Sequence, residues 1–342
     1  MVQAVGTAQH NALHTPVMLN ECLELLAPAI NAPGAVLIDC TLGMGGHTEA
    51  ALKRFPELTV IGIDRDADAI RLASERLAPF RERFHAVHTT YDHVADVAKR
   101  YGRHGKADGV LMDLGVSSFQ LDVRERGFSY AHGGPLDMRM DTSRAYSAKD
   151  LVNTADESEL VHILRVYGEE KCARRIAQAI VARRAQAPIV TTDQLAELVR
   201  EAIPAPAKRT GGNPAKRTFQ ALRIAVNDEL SILDEALPRA IQCLRIGGRL
   251  CVEAYHSLED RMVKRVFQAG IESSTPAGLP VELKGHEPYL AAVVKGAIKA
   301  PAGECERNPR AQSVRIRAVE KLRNVELTHT SENAPINNEG AA

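Results

Sequence analysis

Tryptophan is absent from the 342 residues, and aromatic residues make up only 4% of them. Side chains able to stack on a nucleobase are therefore few and must be sought one by one. The six cysteines (Cys22, Cys40, Cys172, Cys243, Cys251, Cys305) contain no C-x-x-C pair. This argues against a disulfide scaffold and against metal ligation, and the expectation is of reduced thiols, mostly core fillers, with no metal. No apolar run approaches the ~18 residues of a membrane span, and the N-terminus lacks a signal-peptide pattern. A soluble, cytoplasmic protein with no membrane partner is expected. Net charge is missing too, with 43 Lys and Arg against 43 Asp and Glu. A global basic field is thus excluded as the means of attracting nucleic acid, and any positive surface must be local. What remains, 45% hydrophobic and 25% charged, is ordinary globular usage for one large domain or two modest ones.

One stretch organises the chain. Ala35-Val-Leu-Ile38 is a short apolar run of the kind buried on both faces of a parallel sheet. It enters Asp39-Cys-Thr-Leu-Gly43-Met-Gly45-Gly46-His47, after which an alanine-rich helical segment runs to Phe55. Strand, glycine turn and helix form a nucleotide-binding crossover, in which glycines let the backbone approach a ligand. A second run, Leu58 to Ile63, ends in Asp64, placed to accept hydrogen bonds from ribose hydroxyls. The dinucleotide pattern G-x-G-x-x-G would need glycine where Thr48 stands, and no G-x-x-x-x-G-K-[ST] phosphate loop occurs. An acid before the turn, Asp39, and one after the second strand suit a ligand with a cationic amino-acid end and a ribose. S-adenosylmethionine has both and carries no phosphate. The bland alternative is a glycine-rich turn that binds nothing.

Strands are expected at 35–40, 58–63, 84–88 and 109–114, separated by helices at 48–55, 66–77 and 91–100. This βαβαβαβ alternation predicts an α/β, mostly parallel sheet with helices on both faces. Asp113 closes the fourth strand, where open sheets of this kind place their chemistry. The alternation then fails. Residues 119–144 lack a sustained period yet mix aromatics, apolar residues and paired charges, and a stretch this long is usually functional or disordered. Helices follow from Asp156, over 169–185, and from a capping box at Thr191-x-x-Gln194. One long helix is expected from Ala215 to about Leu237. A fifth strand covers Arg249–Tyr255, a helix Ser257–Phe267, and a hairpin 290–294 with 313–319. The division is a core over 14–118 and 215–323, a helical insertion over 119–214, and flexible termini at 1–13 and 324–342, with linkers near 141–147 and 205–214.

Charge neutrality hides a local excess. Between Arg165 and Arg217 eleven Lys and Arg face five acids. Arg174 and Arg175 share a helix with Arg183 and Arg184, while Lys208-Arg209 and Lys216-Arg217 flank a glycine turn. Together they form a candidate footprint for an RNA backbone, the alternative being a solvated helix face. Three segments compete for the chemistry: Asp113 to Gln120, the loop 126–141 with Phe128, Tyr130 and Arg139, and Tyr255 to Arg261. Phe119, Phe128, Tyr130 and Tyr255 are the aromatics on loops, available for stacking on a base or for the core. His256 suits either a general base or a partner for the helix start that follows it. His85, His88 and His93 lack cysteine or clustered acid at metal spacing.

At this point the chain resembles a known family, the bacterial small-subunit ribosomal RNA methyltransferase H, or MraW, family. The likeness runs from about His14 to Val319. It rests on ordered segments: His14-Thr-Pro-Val-Met-Leu, Gly43-Met-Gly-Gly-His47, Ile63-Asp-Arg-Asp66, Asp113-Leu-Gly-Val-Ser-Ser, Gln120-Leu-Asp122, Glu125-Arg-Gly-Phe-Ser, Gly134-Pro-Leu-Asp-Met-Arg-Met-Asp141, Lys216-Arg-Thr-Phe-Gln, His256-Ser-Leu-Glu-Asp-Arg261 and Asn308-Pro-Arg-Ala311. The resemblance implies a Rossmann-like class I S-adenosylmethionine-dependent methyltransferase core carrying a helical insertion. The implied activity is N4-methylation of a cytidine in the decoding region of 16S ribosomal RNA, with the small ribosomal subunit as partner. Carried over position by position, the cofactor contacts are Gly45, Gly46, His47, Asp64, Tyr91, Asp113 and Gln120. Tyr91 and Tyr255 stand where phenylalanine is usual, and Phe119 where proline is usual.

Cytosine N4 is a poor nucleophile, because its lone pair is delocalised into the ring. The protein is therefore expected to hold it in line and to place acceptors on its N–H groups. Asp113, Tyr255 and His256 are the catalytic candidates. Phe119, Phe128, Arg139, Arg174, Arg175, Lys208, Arg209, Lys216 and Arg217 are the substrate candidates. The competing readings are methyl transfer to another substrate, a nicotinamide dehydrogenase (disfavoured by Thr48), and a non-catalytic ribosome-assembly factor that binds the cofactor. Oligomeric state is left open, with a homodimer as one option.

Overall fold

A computed structural model describes residues 16–131, 133–204, 213–276 and 281–325. Its first half follows the expected alternation: Leu19–Ile30 (α1), Val36–Asp39 (β1), Gly46–Arg54 (α2), Thr59–Asp64 (β2), Ala67–Arg76 (α3), Phe84–His88 (β3), Val94–Tyr101 (α4) and Ala107–Asp113 (β4). Strand β1 is short and wholly buried, because both faces of the sheet are covered. Its side chains alternate: Val36 and Ile38 enter one apolar cluster, and Leu37 enters another on the opposite face. Asp66 starts α3 by accepting the Asp68 backbone N–H at 3.1 Å, the usual remedy for an orphaned first-turn donor.

After β4 come Ser118–Asp122 (α5), Ala148–Thr154 (α6), Glu157–Val166 (α7), Ala173–Arg184 (α8), Thr192–Ala202 (α9) and Lys216–Asn227 (α10). Glu229–Cys243 (α11), Leu244–Ala254 (β5), Ser257–Ile271 (α12), Leu290–Ala292 (β6), Ala302–Arg307 (α13) and Arg315–Lys321 (β7) complete the chain. The seven strands lie in the order β3-β2-β1-β4-β5-β7-β6. Pairing is parallel through β5 and antiparallel at β5–β7 and β6–β7. This is the mostly parallel, Rossmann-like sheet anticipated, with the predicted hairpin at its edge. The chain reverses direction across the sheet between β1 and β4, so a crevice is expected over their carboxyl ends.

Two details depart from the sequence reading. The single helix over 215–237 is two, broken at Asp228, which adopts φ +53°. Asn227 explains the corner: its Oδ1 accepts Met140 N–H at 2.8 Å and its Nδ2 donates to the Met138 carbonyl at 2.7 Å. The amphipathic period runs through the corner and so gave no warning of it. The insertion also has its own buried cluster, which extends from Phe128 to Val226 and takes in Ala215, Phe219 and Leu222. Helix α10, placed with the second part of the core by the boundary at 214, therefore packs with the insertion. The capping boxes at Thr191/Gln194 and Ser147/Asp150 anchor two of the insertion helices. Among the described residues no helix is long and apolar enough to cross a membrane.

Candidate active site

A crevice of about 750 Å³ opens over the carboxyl ends of β1, β2, β4 and β5. Thr41, Gly43, Asp64, Asp113 and Tyr255 line it from the sheet. Phe128, Tyr130, Met140, Phe219 and Arg223 line it from the insertion, and the turn 308–313 closes one side. All three segments proposed for the chemistry thus meet on one cavity.

At one end stands Asp64. Its Oδ2 accepts Gly43 N–H and its Oδ1 accepts Asp66 N–H, both at 2.8 Å. Burial pushes its pKa up to about 6, against the pull of those two bonds. At the other end Asp113 accepts the Tyr255 hydroxyl at 2.7 Å, and its own N–H donates to Thr41 Oγ1 at 2.7 Å. Burial raises the Asp113 pKa to about 7, with the Tyr255 hydrogen bond opposing and Glu259 adding to the rise. The Tyr255 phenol is held well above its ordinary value, again chiefly by burial.

The glycine turn contributes Gly43, Gly46 and His47 to the crevice lining and is also tightly packed within the protein. A Cβ on Gly46 would meet Pro16 Cγ at 2.6 Å, and one on Gly45 would meet Leu77 Cδ1 at 2.9 Å. Gly45 also adopts φ +77° as the cap of α2. Both glycines thus permit close packing within the protein, and only Gly46 of the two lines the crevice. Asp39 is likewise internal: it is buried, accepts Thr48 Oγ1 at 2.7 Å and Thr41 N–H at 3.2 Å, and so braces the turn. Tyr91 and Gln120 line the crevice. The Gln120 amide is engaged by the protein, donating to Asp66 at 2.9 Å and accepting Ser117 N–H at 3.1 Å.

His256 lines the crevice as the N-cap of α12. Its Nδ1 accepts Glu259 N–H at 3.5 Å and its Nε2 lies 3.1 Å from Glu259 Oε1, so the contacts present are those of a helix start rather than of a free base. Phe119 is outside the lining and sits under the Arg126 guanidinium, 5.8 Å from it. Phe128 is buried in the insertion cluster. Arg139 is consumed locally, gripping Asp137 with two nitrogens at 2.7 Å and the carbonyls of Thr142 and Arg144 with a third. It braces its own loop. Arg174, Arg175, Lys216 and Arg217 are exposed, and Lys216 lies on the crevice wall. Lys208 and Arg209 lie outside the described residues.

Three lining features escaped the sequence reading. Arg223 reaches in from α10 and holds Glu229 with a two-pronged ion pair at 2.8 and 2.9 Å. Thr41 supports Asp113. Arg310 donates to Ser118 Oγ at 2.5 Å and Asp122 at 2.9 Å, tying the 308–313 turn to the start of the insertion. Arg310 belongs to the Asn308-Pro-Arg-Ala311 motif.

The strand order, and a crevice with carboxylates at the tips of β2 and β4, define a Rossmann-like class I methyltransferase domain with a helical insertion. The chain belongs to the MraW methylase family, whose family model matches residues 11–322. It is 58% identical over 309 residues to the ribosomal RNA small subunit methyltransferase H of Mycolicibacterium gilvum, covering 90% of this chain and 83% of that one. It is 55% identical to the protein of the same name from Saccharopolyspora erythraea, covering 91% and 94%. A solved rRNA methylase from Streptococcus thermophilus aligns over 91% of this chain and all of its own at TM-score 0.42 and 10% identity, too distant a likeness to carry an argument.

Proposed function

We propose that the protein transfers a methyl group from S-adenosylmethionine to N4 of a cytidine in the decoding region of 16S ribosomal RNA. The observation that carries the reading is the Asp113–Tyr255 pair at the sheet end of a crevice roofed by the insertion. The relatives' names support a ribosomal RNA substrate.

The residues present suit this cofactor. The volume falls within the ~300–1,000 Å³ of small-molecule sites. Asp64 has spare lone pairs for hydroxyl donors beyond its two backbone bonds, and two carboxylates favour a cationic ligand. When bound, the cofactor supplies an electrophilic sulfonium methyl.

The remaining work belongs to the chain. Tyr255 fixes Asp113 through Oδ1, leaving Oδ2 to accept an N–H of the amine. That contact localises the nitrogen lone pair and gives the departing proton an acceptor. Tyr130, edge-on to Phe219 with ring centroids 5.7 Å apart, offers an aromatic wall for a base lifted out of its stack. Lys216 at the wall, with Arg217, Arg174 and Arg175 exposed on the insertion, supplies sequence-independent attraction for phosphates.

The test is mass mapping of modified nucleosides after small ribosomal subunits are incubated with the protein and labelled cofactor. N4-methylcytidine at one decoding-region position is the expected product. Label on another atom or another RNA region, or cofactor binding with no transfer at all, would overturn the reading.

A further inference from the structure

Under the glycine turn lies a second constellation, one member of which, His47, also lines the crevice. Cys22 from α1, His47 from α2 and Glu253 from β5 bring one ligand atom each to within 4.8 Å of one another. The three residues are 0%, 6% and 0% exposed. His47 Nε2 and both carboxylate oxygens of Glu253 are buried with no hydrogen-bond partner. Orphaned polar atoms at such depth, a carboxylate among them, are expensive and call for a partner. Cys251, two residues before Glu253 and so on the same face of β5, places its Sγ 3.8 Å from Cys22 Sγ.

The spacings suit one kind of partner. A tetrahedral zinc ion with bonds of ~2.0–2.1 Å to nitrogen or oxygen demands an N···O edge of ~3.3 Å. The observed His47–Glu253 separation is 3.4 Å. Thiolate, imidazole and carboxylate together are a zinc donor set and a poor one for magnesium or calcium. On the far side of the ring His47 Nδ1 lies 3.7 Å from Asp113 Oδ2, beyond hydrogen-bond range.

We infer that Cys22, His47 and Glu253 bind a zinc ion. Binding releases the Cys22 thiol proton, and the proton of Glu253 where burial keeps that carboxyl neutral, to solvent and involves no change of oxidation state. The ion ties α1, the start of α2 and β5 together directly under the glycine turn, and it fixes the ring that faces Asp113. No sequence motif announced it, because its ligands come from three separate segments. The inference departs from the expectation that the cysteines ligate no metal. The inference does not depend on which substrate is methylated.

Full-length protein purified without chelator, incubated with zinc and desalted, tests this by elemental analysis. About one zinc per chain is expected, and the cobalt-loaded form is expected to show the intense visible absorption and thiolate charge-transfer band of a tetrahedral thiolate site. Cys22→Ser and Glu253→Gln are expected to lower retained zinc ~10-fold or more, while Cys172→Ser, outside the cluster, retains it. If the core variants fail to fold, wild-type protein still decides: a strong chelator lowers its melting temperature and added zinc restores it. Wild-type protein that retains no zinc after loading, zinc that persists in folded Cys22→Ser, or a Cys22–Cys251 disulfide in metal-free protein would each overturn the inference.

Discussion

The two ends of the crevice carry the same residue type in different surroundings. Asp64, at the tip of β2, is wired to the backbone, each oxygen accepting one main-chain N–H at 2.8 Å. Asp113, at the tip of β4, is held by a side chain, the Tyr255 hydroxyl, and its second oxygen faces only the His47 ring at 3.7 Å. Burial raises both, to about 6 and about 7. The sheet order places β2 and β4 on either side of β1, so the two acids straddle the glycine turn. A carboxylate locked by two backbone donors is suited to hold a ligand in one position. A carboxylate with one oxygen uncommitted is suited to accept a proton. On the proposed function, one fold would separate binding from chemistry by what it offers each acid as a partner.

This division predicts unequal mutants. Asp113→Asn keeps the shape and removes the proton acceptor, so turnover is expected to fall ~10³-fold with cofactor affinity largely intact. Calorimetric binding beside single-turnover transfer would check this, and equal losses in the two would erase the distinction. Asp64→Asn sets an amide N–H against one of two backbone donors. It is expected to weaken cofactor binding ~10–100-fold while sparing turnover at saturation, since bonds to a charged group are worth ~1.5–3 kcal/mol. A loss confined to turnover would exchange the roles of the two acids.

Both acids were legible in the sequence because each ends an apolar run, and a buried parallel strand has few other reasons to stop at a carboxylate. Strands β1, β2 and β4 were legible because, largely buried, they carry runs of Val, Ile, Leu and Met. What local pattern does not record is how a side chain is engaged. Arg139 looks like a free cation until Asp137 and two carbonyls of its own loop are seen around it, and the tight fit of Gly46 against Pro16 cannot be read from the turn alone. The break at Asp228 is invisible to hydrophobic periodicity because Asn227 enforces it through Met138 and Met140. Arg223 and the 308–313 turn reach the crevice only through tertiary packing, which no local pattern records.

The comparison sharpens at Tyr255. Its hydroxyl lowers the Asp113 pKa against the larger effect of burial. Tyr255→Phe is therefore expected to lower turnover ~10-fold at neutral pH, the worth of one hydrogen bond to a charged group. In wild type the rate is expected to rise with pH through about 7 as Asp113 ionises. In the variant that rise moves to higher pH. A limb that moves to lower pH, or stays fixed, would show that the phenol does not set the acid's titration.

The smallest effect is on the stability of the cofactor-free protein. Asp64 and Asp113 have folded pKa values raised above those of the unfolded chain, near 4. The folded state therefore binds more protons across the interval between, and stability falls as pH rises. The contribution is whole below about 4 and lost once pH has passed about 7. His47, whose pKa burial lowers, works in the opposite sense, its contribution growing until pH reaches the unfolded imidazole value of ~6.5. The clean window is thus from ~6.5 to ~8, where Asp113 dominates and the melting temperature is expected to drop by a few degrees. Asp113→Asn flattens that slope and Asp64→Asn does not, because Asp64 is already mostly ionised there. A melting temperature that rises across this window would mean that burial does not govern Asp113, and the contrast between the two acids would lose its cause.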